Sequence, residues 1–317
     1  KNENEANWIH NKSIMCLKKV ILTLVACVCY LSAISQSYFA RDYPQYPGHI
    51  PSYVHINPAG GFSVAFTHLQ DYSSAKLTRM DDVGNILLTY VDSSTAIQRF
   101  QMDVADNGYH WLSWMNNVSY AEFASVQNLR DSIRITYMDA SLVTVWDRRY
   151  HLGTDPNEAL IPSALEAESD GLLIAGWITE DNGYIYRGSF YMKVDTTGQL
   201  LWSKRYDYLG GYGVHPETIL RLQNGNIAVN GMTEDLGSNS GDAFVWIFNP
   251  NGDSLTGQAG FGGLGKTNAG NMIEKSNGNL QFLTSFVWWD PYGAYLWSDL
   301  HTYNPQTGVF SYQHSVG

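Results

Sequence analysis

The sequence predicts an all-β protein, a β-propeller of four-stranded blades with about five blades visible. Three observations lead there. Only 15% of residues are charged, while 14% are aromatic and 29 are Gly, a composition that favours strands and tight turns. A pair of Gly-containing turns recurs with a period of about 50 residues, the length of a four-stranded blade. No segment carries the 3.6-residue apolar period of a long amphipathic helix. With 317 residues, 44% of them hydrophobic, the chain can bury a full core and is too apolar for disorder. Its net charge of −11 argues against a nucleic-acid surface, which needs a basic stripe.

Residues 1–14 are polar and precede Met15, so they read as an upstream segment outside the native fold. Residues 15–35 read as a signal peptide. Met15-Cys16-Leu17-Lys18-Lys19 is a short basic start, and Val20 to Ala33 is an apolar run too short for a spanning helix. Small residues at Ala33 and Ser35 place cleavage before Gln36. Two alternatives stay open: an uncleaved anchor, and a lipoprotein at Leu24-Val25-Ala26-Cys27. Cleavage removes Cys16, Cys27 and Cys29, all the cysteines, and takes the net charge to −13. The remaining chain, 36–317, is the expected propeller domain. Export without disulfides fits a bacterial envelope, either secreted, periplasmic or at the cell surface.

Within that domain the first turn of each repeat carries Gly61, Gly108, Gly171, Gly225 or Gly278. Asn-Gly and Asp-Gly at these places predict two-residue hairpins with positive φ. The second turn carries Gly84, Gly198, Gly252 and Gly308, and is degenerate at Asp139-Ala140-Ser141, which has no Gly. Trp146 and Trp202 repeat on the fourth strand and predict packing between blades. A β-sandwich would not explain this paired recurrence.

The third repeat runs from Asp170-Gly171-Leu172 through Gly176-Trp177-Ile178-Thr179 to Lys193-Val194-Asp195-Thr196-Thr197-Gly198 and Trp202-Ser203-Lys204-Arg205-Tyr206. It resembles the exported bacterial β-propeller repeat proteins, whose repeat has Asp-Gly-Gly, Gly-x-Thr, Lys-x-Asp-x-x-Gly and Trp-x-x-x-Tyr-Gly-Gly elements. The fourth repeat matches fairly well and the others less. The resemblance implies fold and export, not a reaction. The segment Ser37 to Tyr43 looks like a fourth strand without the three before it, while Val309 to His314 already supplies the last repeat's fourth strand. The expectation is a ring continuing past Gly317, with a closed five-blade ring as the alternative.

Candidate chemistry is sparse. Gly260-Phe261-Gly262-Gly263-Leu264-Gly265-Lys266-Thr267 has the form of a phosphate loop, but a strand is expected after it where such a loop needs a helix. It reads as a connector, with no nucleotide. Glu180, Asp181, Glu234 and Asp235 recur at the end of second strands, followed by oxygen-rich loops. They are candidate metal ligands, though recurrence favours a loop-capping role. Trp288, Trp289, Tyr292, Tyr295, Tyr184 and Tyr186 are placed in the loops after second strands and are candidate ligand platforms. His151 and His215 are placed in inter-blade connections, facing the central opening. No catalytic residue and no cofactor is assigned. The function expected is an exported, non-catalytic propeller binding protein or glycan at one face, with a membrane met only through its export signal. The alternative is a five-bladed glycoside hydrolase or lyase with Asp71, Glu180, Asp235 and Asp290 converging on the funnel.

Overall fold

A computed structural model describes residues 49–57, 60–68, 75–92, 97–105, 108–115, 132–152, 158–180, 185–207, 212–235, 242–259, 266–290 and 293–316. The expected upstream segment, signal peptide and N-terminal strand lie outside these residues. The described residues form twenty strands in five four-stranded sheets, each an antiparallel meander in chain order. Sheet 1 contains β1 (His49–Ile56), β2 (Phe62–His68), β3 (Ala75–Met80) and β4 (Ile86–Asp92). Sheet 2 contains β5 (Ile97–Ala105), β6 (Gly108–Met115), β7 (Ser132–Asp139) and β8 (Thr144–His151). Sheet 3 contains β9 (Glu158–Glu168), β10 (Gly171–Glu180), β11 (Ile185–Asp195) and β12 (Leu200–Asp207). Sheet 4 contains β13 (Tyr212–Arg221), β14 (Ile227–Asp235), β15 (Ala243–Phe248) and β16 (Ser254–Ala259). Sheet 5 contains β17 (Lys266–Glu274), β18 (Leu280–Asp290), β19 (Gly293–Asn304) and β20 (Val309–Val316).

The first strands β5, β9, β13 and β17 lie side by side in succession. The apolar cores fill the spaces between consecutive sheets. Ile133, Ile135 and Tyr150 of sheet 2 meet Leu165, Ile174 and Met192 of sheet 3. Leu173, Ala175 and Tyr191 of sheet 3 meet Ile219, Val229 and Phe248 of sheet 4. Ala228, Val245 and Ile247 of sheet 4 meet Met272, Leu280 and Phe282 of sheet 5. Sheets packed face to face around their first strands make a propeller-like fold.

Four of the five second turns share one construction; in the fifth, Asn304 Oδ1 accepts from the N–H groups of Gln306 and Thr307 and the loop is one residue longer. Asp81, Asp139, Asp195 and Asn249 each accept, through Oδ1, the backbone N–H groups two and four residues on. The chain then turns through a residue of positive φ: Gly84 (81°), Gly198 (79°) and Gly252 (80°). In the degenerate repeat Leu142 takes that place at φ 60°, a conformation costing a non-Gly residue about 1–2 kcal/mol. These are three-residue hairpins with a bulge.

The first turns split into two kinds, which corrects the uniform two-residue expectation. Glu168 pairs with Gly171 and Ala105 with Gly108, so those loops have two residues. Around Gly225 and Gly278 the loop has three, closed by Leu222 with Asn226 and by Lys275 with Asn279. Gly171 is needed for another reason than Gly225. A Cβ at 171 would sit 1.9 Å from the Val194 carbonyl oxygen, whereas one at 225 meets nothing within 4 Å.

A second repeated device lies in the first strands. β1, β9 and β13 carry Pro51, Pro162 and Pro216, each followed by a break in register. A proline has no N–H for the ladder, and a bulge absorbs that loss. Opposite two of these prolines stand Gly176 and Gly231. There a Cβ would lie 2.3 Å from the Ile161 oxygen or 1.9 Å from the His215 oxygen. The Gly of the Gly-x-Thr element is therefore imposed by close backbone approach.

In sheets 2 and 3 the Trp-x-x-x-Tyr element clamps the fourth strand onto the next sheet's second turn. Trp146 Nε1 donates to Thr196 O at 2.9 Å and Tyr150 Oη to Gly198 O at 2.6 Å. Tyr206 Oη donates to Gly252 O at 2.7 Å and accepts from Ser254 N at 2.9 Å. The indoles press on the turn glycines, so a Cβ at 198 would be 3.0 Å from Trp146 and one at 252 would be 2.7 Å from Trp202. Sheet 1 presents Leu88 at the register of these indoles. The following turn then has room for the buried side chain of Leu142. Sheets 1 and 2 are tied by ions instead: Arg134 makes two 3.1 Å bonds to buried Asp92 and is also held by Asp147.

Candidate functional site

A meander places its first and second turns at one end of the sheet. At that end a cleft of about 770 Å³ opens between sheets 3 and 4, lined by Glu166, Glu168, Asp170, Lys193, Trp202, Arg221 and Asn251 among others. Lys193 interrupts the apolar run of β11, and its side chain is buried. A buried ammonium needs partners, and it has two: Asp170 at 2.7 Å and Glu168 at 3.0 Å. Glu168 also accepts from Arg221 of the next sheet, at 2.5 Å from Nε and 3.0 Å from Nη2. Arg221 Nη1 donates to Gly225 O at 2.7 Å, tying the fork to its own hairpin.

Carboxylates and cations thus alternate across the sheet boundary, from Asp170 through Lys193 and Glu168 to Arg221. The Lys193 hydrogen bond holds the Asp170 carboxyl below its ordinary range. A lowered carboxyl stays ionised and accepts hydrogen bonds; it is not a proton donor near neutral pH. Beside it stands the half-buried Trp202 indole. An apolar ring next to fixed donors and acceptors suits a polar, hydroxyl-bearing ligand.

None of these residues stood among the expected ligand contacts. In the sequence Asp170 is a turn residue and Lys193 is part of a repeat element. Glu168 and Arg221 lie 53 residues apart, and nothing in the sequence joins them. The one available signal was the lysine inside Phe190-Tyr191-Met192-Lys193-Val194.

Of the expected site residues, those whose backbone is described fall at the opposite end of the sheets. Asp181, Tyr184 and Tyr292 lie outside the described residues, as do the side chains of Glu180, Tyr186, Glu234, Asp235, Trp288, Trp289 and Tyr295. Four of the aromatics expected in loops lie in strands instead, because the ladders extend further than the turn signals suggest: Trp288 and Trp289 in β18, Tyr295 in β19 opposite Trp288, and Tyr186 in β11 opposite Thr179. Glu180 pairs with Glu158, and Glu234 with Gly213. Among the described residues no group of three or more His, Cys, Asp or Glu is placed to hold a metal ion. At this end burial pushes the Asp242 carboxyl up, and its carbonyl oxygen accepts from Thr233 N at 2.7 Å.

Two histidines need correction. His215 lies within β13, buried, with its ring 4.7 Å from that of Trp177, so it belongs to the packing between sheets 3 and 4. His151 is the last residue of β8 and exposed. Neither sits in a connection. Lys266 and Thr267 open β17, while 260–265 lie outside the described residues. No described helix is long and apolar enough to cross a membrane.

No family model matches the chain, and no curated protein matches it. Solved structures do. A luciferin-regenerating enzyme aligns with 84% of this chain and 76% of its own, at 8% identity and a TM-score of 0.46. A GH43 β-xylosidase/α-arabinofuranosidase from a compost microbial metagenome aligns over 83% and 93%, at 10% identity and 0.42. Prolyl oligopeptidase B from Galerina marginata aligns over 85% of this chain but only 42% of its own, at 9% identity and 0.42. Likeness at this level carries no inference about activity.

Proposed function

We propose that the chain is an exported, non-catalytic β-propeller, five of whose blades lie in this sequence, and that it serves the cell envelope as a glycan-binding module. The ligand seat is the cleft between sheets 3 and 4. One observation carries this reading: the charged groups of the Asp170–Lys193–Glu168–Arg221 chain are matched with opposite partners at 2.5–3.0 Å beside an indole. Such an array offers hydrogen bonds to hydroxyl groups without a carboxyl poised to give up a proton. The seat lies at the turn end of the sheets, not at the aromatic loops. The test is a glycan array with the full chain, followed by titration calorimetry of any hit against Trp202→Ala and Asp170→Asn. Binding weakened at least tenfold by both supports the seat. Binding unchanged by both sinks it, and a blank array removes the glycan.

A second reading is a glycoside hydrolase or lyase working at the other end of the sheets; of the residues expected to converge on the funnel, Asp71 lies outside the described residues, as do the side chains of Glu180, Asp235 and Asp290. Asp242 favours it, since a carboxyl pushed up by burial is what a general acid requires. Release of sugar from aryl glycosides, lost in Asp242→Asn with the fold intact, would establish it; no turnover would leave the binding module.

A further inference from the structure

Two third-strand positions set sheet 3 apart from its neighbours. The residues just before the second turns, Met80, Met138, Val194 and Phe248, each pair with the first residue of the fourth strand, which aligns these sheets residue by residue. Five and three residues earlier stand Ala75 and Leu77 in sheet 1, Ile133 and Ile135 in sheet 2, and Ala243 and Val245 in sheet 4. Sheet 3 has Ser189 and Tyr191 there. All eight are at most 1% exposed. These positions face the following sheet, as Ile135 packs with Leu165, Tyr191 with Val229 and Val245 with Phe282. β10 adds a third hydroxyl to the same face. Its side chains alternate, Leu172 and Ile174 packing towards sheet 2 and Leu173 and Ala175 towards sheet 4, so Trp177 and Thr179 also face sheet 4. Trp177 pairs with Ser189, and Thr179 is fully buried. From sheet 4 the His215 ring closes over Trp177 at 4.7 Å.

Three hydroxyl groups are thus enclosed in one seam, and among the described residues Thr179 Oγ1, Ser189 Oγ and Tyr191 Oη meet no hydrogen-bond partner. Ser189 stands close enough to the Tyr191 phenol to influence its ionisation, without bonding it directly. Polar groups placed near each other with no direct bond are the setting for a bridging water. Burial pushes the Tyr191 phenol up, so it keeps its proton and donates, while the Ser and Thr hydroxyls can donate or accept. A buried water typically makes about three such bonds. The fold does not demand these groups, since sheets 1, 2 and 4 fill the two third-strand positions with hydrocarbon. We infer that the seam between sheets 3 and 4 is a built site for water, held by Tyr191, Ser189 and Thr179. The water accepts from Tyr191 Oη and donates to Ser189 Oγ and Thr179 Oγ1. The inference stands apart from what the cleft binds.

The sign of one substitution tests it. Tyr191→Phe keeps the ring and removes only the hydroxyl. If that hydroxyl is bonded to water, its removal takes a partner from the water and lowers the urea midpoint. If it stands alone, its removal relieves an unpaired buried group and raises the midpoint. Lower midpoints at constant m-value are expected for Tyr191→Phe and Ser189→Ala in the full chain. The double variant should fall by less than the sum of the two, because both lose the same water. Oxygen-17 magnetic relaxation dispersion should show a long-lived buried water in the wild type, with an amplitude that drops in the double variant. A midpoint raised by Tyr191→Phe overturns the inference. So does strict additivity, or an equal dispersion amplitude in wild type and double variant. Should Ser189→Ala unfold the chain by circular dichroism, Thr179→Val takes its place in the pair, with the same outcomes read.

Discussion

Gly252, Gly225 and Gly278 form a controlled comparison, because their φ values are 80°, 85° and 78°. Replacing any of them by Ala incurs the same left-handed backbone cost, about 1–2 kcal/mol. Their surroundings differ. A Cβ at 225 or 278 meets nothing within 4 Å, whereas one at 252 lies 2.7 Å from Trp202 Cζ3. Ordinary contact begins at 3.4 Å, so the indole or the turn must yield by several tenths of an ångström. The Tyr206 hydroxyl holds the same turn at 2.7 Å and resists that shift. Overpacking of this kind costs a further 1–3 kcal/mol or so. Gly225→Ala and Gly278→Ala should each lower stability by about 1–2 kcal/mol, and Gly252→Ala by about 2–5 kcal/mol. Urea midpoints followed by tryptophan fluorescence, compared at constant m-value, measure the difference. Trp202→Ala supplies the fourth corner of a cycle: in that background Gly252→Ala should cost only its backbone share, a coupling of about 1–3 kcal/mol. If the three single substitutions cost the same, or the cycle shows no coupling, the indole does not dictate the glycine.

Lys193→Met strips Glu168 of one of its two cationic partners while Asp170, largely exposed, returns to water. A loss of about 1.5–3 kcal/mol is expected, shrinking when Glu168→Gln is added; a loss under 0.5 kcal/mol would mean that Arg221 alone suffices. Tyr206→Phe removes two hydrogen bonds to the fourth sheet and should cost about 1–2 kcal/mol by urea unfolding. The Asp170 carboxyl is depressed in the fold, so its stabilisation is present above the unfolded carboxyl range and lost as pH falls through the folded value. Asp170→Asn should flatten the acid limb of a stability–pH curve, and an unchanged limb would contradict that. Burial lowers His301, whose Nε2 lies 2.9 Å from Thr284 Oγ1. Its neutral form is the folded one, so stability should fall as pH drops below about 6.5, and His301→Gln should remove that slope.

The repeat was legible because its signals are local. An Asx residue three places before a Gly marks three of the five second turns, at Asp81, Asp195 and Asn249, and their recurrence reveals the repeated sheets. Turn length was less legible: Asp170-Gly171 and Asn224-Gly225 look alike in sequence. Their glycines answer different constraints, one a carbonyl 1.9 Å away and the other a dihedral angle. Those constraints come from neighbouring strands. The cleft was hidden for the same reason. Glu168 and Lys193 belong to one sheet and Arg221 to the next, and only the packing of sheets brings them within a hydrogen bond. Leu142 was invisible too, since nothing in the degenerate Asp139-Ala140-Ser141 turn signals a leucine at positive φ.

That dependence bears on how such a chain is copied and shortened in evolution. The indole of one sheet and the glycine of the following turn are a matched pair straddling a boundary, so compatibility is a property of neighbours. Excising sheet 3 would bring Trp146 against Gly252, a combination this chain already uses in kind. Excising sheet 2 would set Leu88 over Gly198, leaving a void where an indole and a leucine are both missing. Deletions and duplications of single units should therefore be tolerated unevenly along the chain, according to which residues they make adjacent.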